Sequence, residues 1–525
     1  MIEAITHFRL DCQRRFSLPI ILLMGLFVRC INLDSRSLSY DDVFSIFLSG
    51  RSLEEIIRGT AADTMPPLYY FILHFWMMLG HSQWFLRGLS VLLSLCAIWL
   101  LYQLARILFS ENAALWAALL AAISPFQFYH AQDVRNYELL LCEQLGFLLF
   151  FVHIWKANNQ GEKGRWWEWG GLILCGTAAM YTNNVAILAL GIPDVFLVFT
   201  AILGKKSNIR RQLALLGRLV LAQILICALN LPWLVLLPGQ LMKVQRAWSL
   251  SIPGLVDAIQ VPVIWITGLP LPGIWLMVGV LVSIEILVLV VIELIKGWKK
   301  ETGIAFIATV TVLLPMLFFG LSYVVKPIFV ARGFILASMT FYAAAGWAIQ
   351  AGWKRGIGKI MLAGFIAAAM IGLPAQYTFH DFPRSPYRQA AADLAQKLTQ
   401  DEIVVHDNKL SYFPFRFYEP GLNEVFLADI PGSGNDTFAP ASQQAMAIFP
   451  EVDIQNAVGT RRVVDFVVFR VTLQDYGAMG ENHPVIVWLD KNYTFKAKAV
   501  YNDLEVYTYI HETQSGALTM DQFSR

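Results

Sequence analysis

The sequence has little charge, and its few cysteines suggest neither a disulfide framework nor a metal site. Only 15% of the 525 residues are charged, and the net charge is +2. So small a net charge excludes a broad electrostatic attraction to nucleic acid. The six cysteines all lie in the first 227 residues, and none is paired at metal-ligand spacing. The chain is therefore predicted to contain neither a cysteine zinc site nor a disulfide framework.

Long apolar runs fill most of the chain and then stop. Hydrophobic residues make up 57% of the sequence, and the mean hydropathy is +0.54. Runs long enough to cross a bilayer recur through about residue 375 and none follows. We therefore predict a membrane domain over 1–376 and a soluble domain over 377–525. Because no small-residue cleavage site follows the first apolar stretch, that stretch is expected to be an uncleaved anchor.

The cationic loops predict the orientation of the chain in the membrane. Arg9, Arg14 and Arg15 place the N-terminus in the cytoplasm, and later Lys and Arg clusters fall on the same side only if Pro67–Gly80 does not cross. We therefore interpret Pro67–Gly80 as interfacial. The C-terminal domain then lies outside a plasma (inner) membrane. The eleven predicted spans are Leu18–Leu33, Phe85–Arg106, Ala113–Phe128, Tyr137–Ile154, Trp167–Tyr181, Val185–Leu203, Gln212–Leu236, Leu271–Ile295, Gly303–Val325, Gly333–Ile349 and Ile357–Pro374.

The C-terminal domain has the pattern of an α/β fold. A helix is expected over Tyr387–Leu398, followed by a strand at Glu402–His406. No catalytic motif stands out in this domain. Further strands are predicted at Arg462–Val471, Pro484–Leu489, Tyr493–Tyr501 and Leu504–Ile510.

Adjacent carboxylates follow the first predicted span, at Asp41 and Asp42. Two carboxylates near lipid are costly unless water, a cation or a substrate compensates them. The alternative is an acidic helix N-cap, since Asp41 precedes an apolar run from Val43. The two interpretations have similar weight on spacing alone.

Two other predicted outer segments concentrate polar groups. Ser124–Tyr137 contains His130, Asp133 and Arg135, although an aromatic interface belt would look similar. Lys326 and Arg332 break the positive-inside pattern, and either a bound phosphate or lipid headgroups would explain that. A weaker polar cluster comprises Gln240, Lys243, Gln245, Arg246 and Trp248.

The outer motifs, taken in order, resemble the GT-C superfamily of polyprenyl-phosphate-sugar-dependent glycosyltransferases. The similarity is greatest to the branch of protein O-mannosyltransferases and the lipid A aminoarabinose transferase (families 39 and 83), and it covers roughly Leu18 to Ile349. Aspartate replaces the family's Glu at Asp42 and Asp133, and Met65 and Asn183 replace its His residues. The matching motifs are Asp41-Asp42, Asp63-Thr64-Met65-Pro66-Pro67-Leu68-Tyr69-Tyr70, Leu86-Arg87-Gly88-Leu89-Ser90, Ser124-Pro125, Gln132-Asp133-Val134-Arg135-Asn136-Tyr137 and Tyr181-Thr182-Asn183.

This resemblance implies a GT-C fold and transfer of a sugar from a polyprenyl-phosphate donor to a hydroxyl of a glycan, lipid or protein. It implies Asp41 as general base, with Asp42 and Asp133 in the catalytic set. Lys326, Arg332 and Arg135 would hold the donor phosphate. Substrate binding is assigned to Asp63, Tyr69, His130, Tyr137 and Gln245. No cofactor is assigned, and a divalent cation stays open.

Two alternatives to this function remain. A transporter or flippase would use Glu143, Asp194 and Glu285, which lie inside predicted spans. A non-catalytic subunit of envelope polysaccharide assembly would need neither Asp41 nor Asp133.

Overall fold

A computed structural model describes residues 17–203, 206–247, 250–298, 301–378, 385–397, 401–431, 433 and 436–511. The chain forms two compact units. The first comprises Met1–Ser35, Ser45–Phe382 and Gly432–Met446, and the second comprises Arg36–Phe44, Pro383–Pro431 and Ala447–Arg525. Each unit therefore includes a segment from the other side of the predicted domain boundary. The sequence analysis predicted neither the place of Arg36–Phe44 in the second unit nor that of Gly432–Met446 in the first.

The first unit is helical. Its described helices are α1 (Ser17–Cys30), α2 (Tyr40–Ser49, which starts in the second unit), α3 (Leu53–Ala62), α4 (Leu68–Met77), α5 (Gln83–Leu108), α6 (Glu111–Ile123), α7 (Pro125–Ala131), α8 (Tyr137–Asn159), α9 (Trp166–Thr182), α10 (Ala186–Leu190), α11 (Ile192–Leu203), α12 (Lys206–Leu229), α13 (Leu231–Leu234), α14 (Leu237–Ala247), α15 (Leu255–Thr267), α16 (Gly273–Gly297), α17 (Thr302–Val324), α18 (Ile335–Gly352) and α19 (Ile357–Thr378). Two 3₁₀ turns, Ala331–Phe334 and Trp353–Arg355, flank α18.

Within the described ranges, seven helical segments are long and apolar enough to cross a membrane: α5, α8, Ile209–Leu229 of α12, α16, α17, Ala331–Arg355 around α18, and α19. Each coincides with a predicted span. Over the described residues, the other four predicted spans correspond to helices of fewer than 18 residues or to pairs of shorter helices. The count of eleven crossings stays a prediction. The stretch predicted to be interfacial forms α4, whose 10 residues span only about 15 Å and fall short of a bilayer.

One predicted span, Ala113–Phe128, is two helices. Ser124 ends α6 with extended backbone, and its Oγ accepts a hydrogen bond from the Gln127 amide at 3.2 Å. Pro125 occupies the first position of α7, where its missing N–H costs nothing. This proline and its serine cap start a new helix within the predicted span, and the crossing itself stays a prediction.

Small residues allow α18 to lie directly against α6 at the centre of the first unit. A Cβ at Gly346 would approach the Ala113 carbonyl oxygen to 2.6 Å. Ala117, Ala343 and Ala345 are fully buried. This close approach of small residues is the usual way in which helices associate in lipid.

The second unit contains a mixed sheet. Its described strands are β1 (Glu402–His406), β2 (Glu424–Phe426), β3 (Val463–Phe469), β4 (Thr494–Tyr501) and β5 (Leu504–Ile510), in the order β2-β1-β3-β5-β4. β1 pairs in parallel with β2 and β3, and β5 pairs antiparallel with β3 and β4. The helices of the C-terminal region are α20 (Tyr387–Ala395), α21 (Lys409–Tyr418), α22 (Pro440–Met446, in the first unit), α23 (Ile454–Val458), α24 (Arg470–Ala478) and α25 (Pro484–Asn492).

The predicted strand at Pro484–Leu489 is wrong, because these residues begin α25. Its β-branched residues favour a strand, but Pro484 takes the first helical position and Leu489 is fully buried against the sheet. Val485, one helical turn before Leu489, packs against the same core. The predicted helix and the other four predicted strands are present, with ends shifted by at most a few residues over the described part of the chain.

Candidate active site

Side-chain hydrogen bonds to the ends of other helices fix the segment Ser124–Tyr137 of the first unit. Gln132 Nε2 donates to the carbonyls of Arg29 and Ile31, at 3.0 and 3.2 Å, at the end of α1. Asn136 Nδ2 donates to the Thr182 carbonyl at 2.9 Å, where α9 ends. These bonds satisfy carbonyls that a helix leaves without partners at its C-terminus. The segment is therefore held by the helical frame.

The Tyr137 ring brings together two of the predicted phosphate-binding residues. The guanidinium carbon of Arg135 lies 5.9 Å from the ring centroid, and that of Arg332 lies 6.0 Å away. Arg332 comes from the 3₁₀ turn before α18, so residues almost two hundred positions apart meet at one ring. Arg135 also donates from Nη1 to Ser45 Oγ at 3.2 Å. Lys326, the third predicted cation, is half-buried six residues before Arg332.

Asp133 and His130 lie in the same segment and are buried. His130 Nδ1 is 3.4 Å from Asp133 Oδ2, and the His130 ring meets Tyr137 edge-on at 5.5 Å. Ser90 donates a hydrogen bond of 2.6 Å to the Asp133 carbonyl. Asp133, His130, Arg135, Tyr137 and Arg332 therefore form one polar and aromatic cluster in the first unit.

A second polar cluster of the first unit surrounds Asp63. Lys243 Nζ of α14 lies 3.3 Å from Asp63 Oδ1. Gln240 Nε2 donates to the Thr60 carbonyl at 3.2 Å, and Asn184 Nδ2 donates to both the Thr64 carbonyl and Gln240 Oε1 at 2.9 Å. The Asp-x-x-Pro-Pro motif is thus tied to α14. Sequence reasoning missed Asn184, although it directly follows the matched Tyr-Thr-Asn motif.

Tyr69 and Gln245 are the two other residues predicted to bind substrate. Tyr69 is only 1% exposed and packs edge-on against Tyr70 at a centroid distance of 6.0 Å. The side chain of Gln245 lies outside the described residues, although its backbone is part of α14. Their predicted roles stay predictions.

The adjacent carboxylates belong to the second unit and have different environments. Asp42 is 1% exposed, and its Oδ2 accepts from both the amide and the hydroxyl of Ser39 at 2.8 Å. The Asp42 amide returns a longer bond of 3.4 Å to Ser39 Oγ. Ser39 and Asp42 therefore form a capping box.

Asp41 lies at the second position of α2 and is half-buried. The sequence alternative that Asp41 is the helix N-cap is wrong, because Ser39 takes that place and Asp42 supports it. Asp42 therefore supports the start of the helix, and Asp41 is the more accessible of the two carboxylates.

The intramembrane carboxylates on which a transporter would depend have different surroundings. Glu143 accepts from the Thr182 hydroxyl at 2.9 Å, and Asp194 accepts from Gln223 Nε2 at 2.5 Å. Both bonds join neighbouring helices, which is the usual structural role of polar groups in a bundle. Glu285 is exposed on α16. Across the described ranges, no group of three or more His, Cys, Asp or Glu side chains is arranged to hold a metal ion.

Sequence and structure comparisons relate the chain to enzymes that use lipid-linked sugars. Residues 64–233 match the family model of dolichyl-phosphate-mannose-protein mannosyltransferases. No curated protein matches the chain by sequence. The matched range contains Thr64–Tyr70, which is the earlier motif without Asp63, and the whole Ser124–Tyr137 segment.

Solved structures match over nearly the full length. ArnT from Cupriavidus metallidurans in the apo state is 14% identical, with a TM-score of 0.61 over 93% of this chain and 97% of that one. The same protein bound to undecaprenyl phosphate gives a TM-score of 0.60, with 14% identity over 93% of this chain and 97% of that one. The oligosaccharyltransferase of Archaeoglobus fulgidus, tethered with an acceptor peptide, is 12% identical with a TM-score of 0.52, over 97% of this chain and 75% of that one. The predicted fold class, a helical membrane protein with a C-terminal α/β domain, is confirmed.

Proposed function

We propose that the chain is a glycosyltransferase of the GT-C superfamily and that it transfers a sugar from a polyprenyl-phosphate carrier to an acceptor hydroxyl on the extracytoplasmic face of the membrane. The acceptor belongs to a glycan, a lipid or a protein. The observation that carries the proposal is the pair of guanidiniums, Arg135 and Arg332, beside Tyr137. Two arginines at one ring provide a site suited to a phosphate.

The proposed reaction is a single displacement. The acceptor oxygen forms a bond to the anomeric carbon while the bond from that carbon to the carrier phosphate oxygen breaks. The leaving electron pair stays on the phosphate, where Arg135 and Arg332 stabilise it, with Lys326 as a third cation. Asp41 takes the acceptor proton. Its half-buried position suits this role better than that of Asp42, whose carboxylate is engaged by Ser39.

The carrier class is supported by the structural relatives. ArnT of Cupriavidus metallidurans has been solved with undecaprenyl phosphate, and this chain has the same fold along almost its whole length. The family model that matches residues 64–233 is named for a dolichyl-phosphate-linked mannose donor. Both carriers are polyprenyl phosphates, so the shared chemistry is a lipid-linked phosphate leaving group.

Lipid extracts of a deletion strain provide the decisive experiment. If the protein consumes a polyprenyl-phosphate sugar, that lipid should accumulate in the deletion strain and disappear when the wild-type gene is restored. Mass spectrometry of the accumulated lipid identifies the sugar. A deletion strain with an unchanged profile of polyprenyl-phosphate sugars would refute the proposal.

A reporter fused after Arg525 tests the proposed face. The C-terminal domain is expected outside, so an alkaline phosphatase fusion should be active and a green fluorescent protein fusion dark. The reverse pattern would refute the proposed extracytoplasmic face, and it would also overturn the eleven-span topology.

A further inference from the structure

The segment that carries Asp41 is held within the second unit by helix α21. The backbone N–H of Leu38 donates to Tyr418 Oη at 2.7 Å. Leu38 is fully buried, so this amide depends on the tyrosine for its hydrogen bond. One residue earlier, the Arg388 amide of α20 donates to Ser37 Oγ at 3.3 Å. The chain is thus fixed just before the helix that contains Asp41.

Aromatic contacts fix the residues on either side of Asp41. The Tyr40 ring meets Phe413 edge-on with centroids 5.0 Å apart, and the Phe44 ring stacks on Phe413 at 6.4 Å. Phe413 itself is fully buried. Pairs of aromatic rings in these arrangements stabilise a contact beyond the area that they bury. One side chain of α21 therefore contacts the residue before Asp41 and the residue one turn after it.

A buried cation completes the contact. Lys409 Nζ lies 6.0 Å from the centroid of the Tyr40 ring and forms an ion pair with Asp429. Lys409 and Phe413 are four residues apart in α21, so both project from one face of that helix.

The sheet of the second unit fixes α21 in turn. Asn408 caps the helix by accepting from the Leu410 amide at 3.0 Å, and Phe415 is fully buried in the core that contains Val404 and Val467. The sequence signal was present but was not used: five of the seven residues from Tyr412 to Tyr418 are aromatic. So dense an aromatic run in a soluble domain needs surfaces to cover it.

We infer that α21 positions the catalytic base, with Tyr418 and Phe413 as positioning residues that act through the segment Arg36–Phe44. The inference rests on the proposed function of Asp41. A misplacement of about 1 Å at a reacting group can reduce a rate by about 10²-fold. Loss of the Tyr418 hydrogen bond releases only one of several anchors, so we expect a smaller loss, of about tenfold.

The test replaces Tyr418 by Phe and compares it with a matched control, Tyr493→Phe. Tyr493 Oη donates to the Arg461 carbonyl at 2.9 Å, so the control removes one tyrosine hydrogen bond in the same unit at a site away from the segment. Each variant is induced in the deletion strain, and the rate at which the accumulated polyprenyl-phosphate sugar disappears is measured at equal protein levels. Tyr418→Phe should be about tenfold slower than wild type, and Tyr493→Phe should match wild type.

Two measurements on purified full-length protein separate positioning from general damage. Binding of undecaprenyl phosphate should be unchanged in Tyr418→Phe, because the predicted phosphate residues belong to the first unit. Hydrogen exchange should accelerate in the peptide 36–44 and stay unchanged in strands β1 and β3. Exchange that accelerates throughout the sheet, or a weakened affinity for undecaprenyl phosphate, would overturn the positioning role.

Phe413→Leu and Asp41→Asn distinguish a failure of the positioning role from a failure of the proposed function. Phe413→Leu removes the ring contacts without leaving an amide unsatisfied, and it should also slow consumption of the donor. If Tyr418→Phe and Phe413→Leu both work at the wild-type rate while Asp41→Asn is slow, the inference fails and the proposed function stands. If Asp41→Asn works at the wild-type rate, the assignment of the base fails first.

Discussion

The two segments that carry the candidate chemistry are built in different ways. Ser124–Tyr137 belongs to the first unit, and Gln132 and Asn136 fasten it to the carbonyl ends of long helices. Arg36–Phe44 belongs to the second unit, where Tyr418 and Phe413 hold it beside a sheet. The cations proposed for the leaving phosphate thus depend on the helical frame, and the proposed base depends on the soluble fold. Binding of the donor and activation of the acceptor should therefore be separable by mutation.

Replacing Asp41 by Asn should have the largest effect. The change keeps the shape of the side chain and removes the basic oxygen, so transfer should fall by about 10²–10⁴-fold. Affinity for undecaprenyl phosphate should stay near that of wild type, because the residues proposed to hold the phosphate lie in the other unit. The measurements are the rate of donor consumption in cells and carrier binding to the purified variant.

Asp42→Asn is the matched control for that change. Asn can still accept from Ser39, so the helix cap is weakened rather than lost and the rate should fall much less. If Asp42→Asn were inactive and Asp41→Asn remained active, Asp42 and not Asp41 would be the general base.

Arg332→Ala should have the second-largest effect, and this effect should fall on carrier affinity instead of on the transfer rate. Loss of one hydrogen bond to a charged group costs about 1.5–3 kcal/mol, or roughly 10–150-fold in affinity for undecaprenyl phosphate. Lys359→Ala removes a cation that lies over Trp353 instead, and it should leave carrier binding unchanged. Equal carrier affinity in Arg332→Ala and wild type would remove Arg332 from the phosphate site.

The smallest effect is expected from Asp465→Asn, which should act on the second unit alone. Burial raises the pKa of Asp465 to about 6, although the Thr508 hydroxyl opposes the shift by donating to its carboxylate at 2.5 Å. Since the folded pKa lies above that of the unfolded chain, the protonated form is favoured on folding. Its stabilisation is complete below about pH 4 and is lost as the pH rises through about 6.

The Asn variant should therefore stabilise the sheet at pH 7.5 by about 1–3 kcal/mol and give no gain below pH 4. Hydrogen exchange of β3 amides in the full-length protein measures this difference, with α8 as the internal reference. Asp490→Asn, at an exposed residue that accepts from Tyr509, provides the control and should leave the exchange of the β3 amides as in wild type. Slower exchange in α8 would mean that the two units do not respond independently.

Local patterns predicted most of the elements, and several of the residues that they singled out lie together in the structure. The strand Glu402–His406 was predicted with the bounds that the structure has, because a short β-branched run between polar residues has few alternatives. The helix break at Ser124-Pro125 and the helix at Pro484 were missed because hydropathy outweighed the proline signals in both predictions. The sequence motif placed Arg135 and Tyr137 together, since they are two residues apart. It could not place Arg332 at the same ring.

The sequence by itself predicted a helical membrane protein with an α/β domain at its C-terminus, and its ordered motifs resemble those of the GT-C glycosyltransferases. Apolar run lengths, charged loops and an ordered set of motifs are local properties, so they can be read without a fold. Only the tertiary structure decided which carboxylate is engaged in a helix cap, that Arg135 and Arg332 share Tyr137, and that Arg36–Phe44 belongs to the second unit. Contacts such as Leu38 with Tyr418 join residues hundreds of positions apart. They depend on the packing of whole elements, which neither residue's neighbours in the sequence specify.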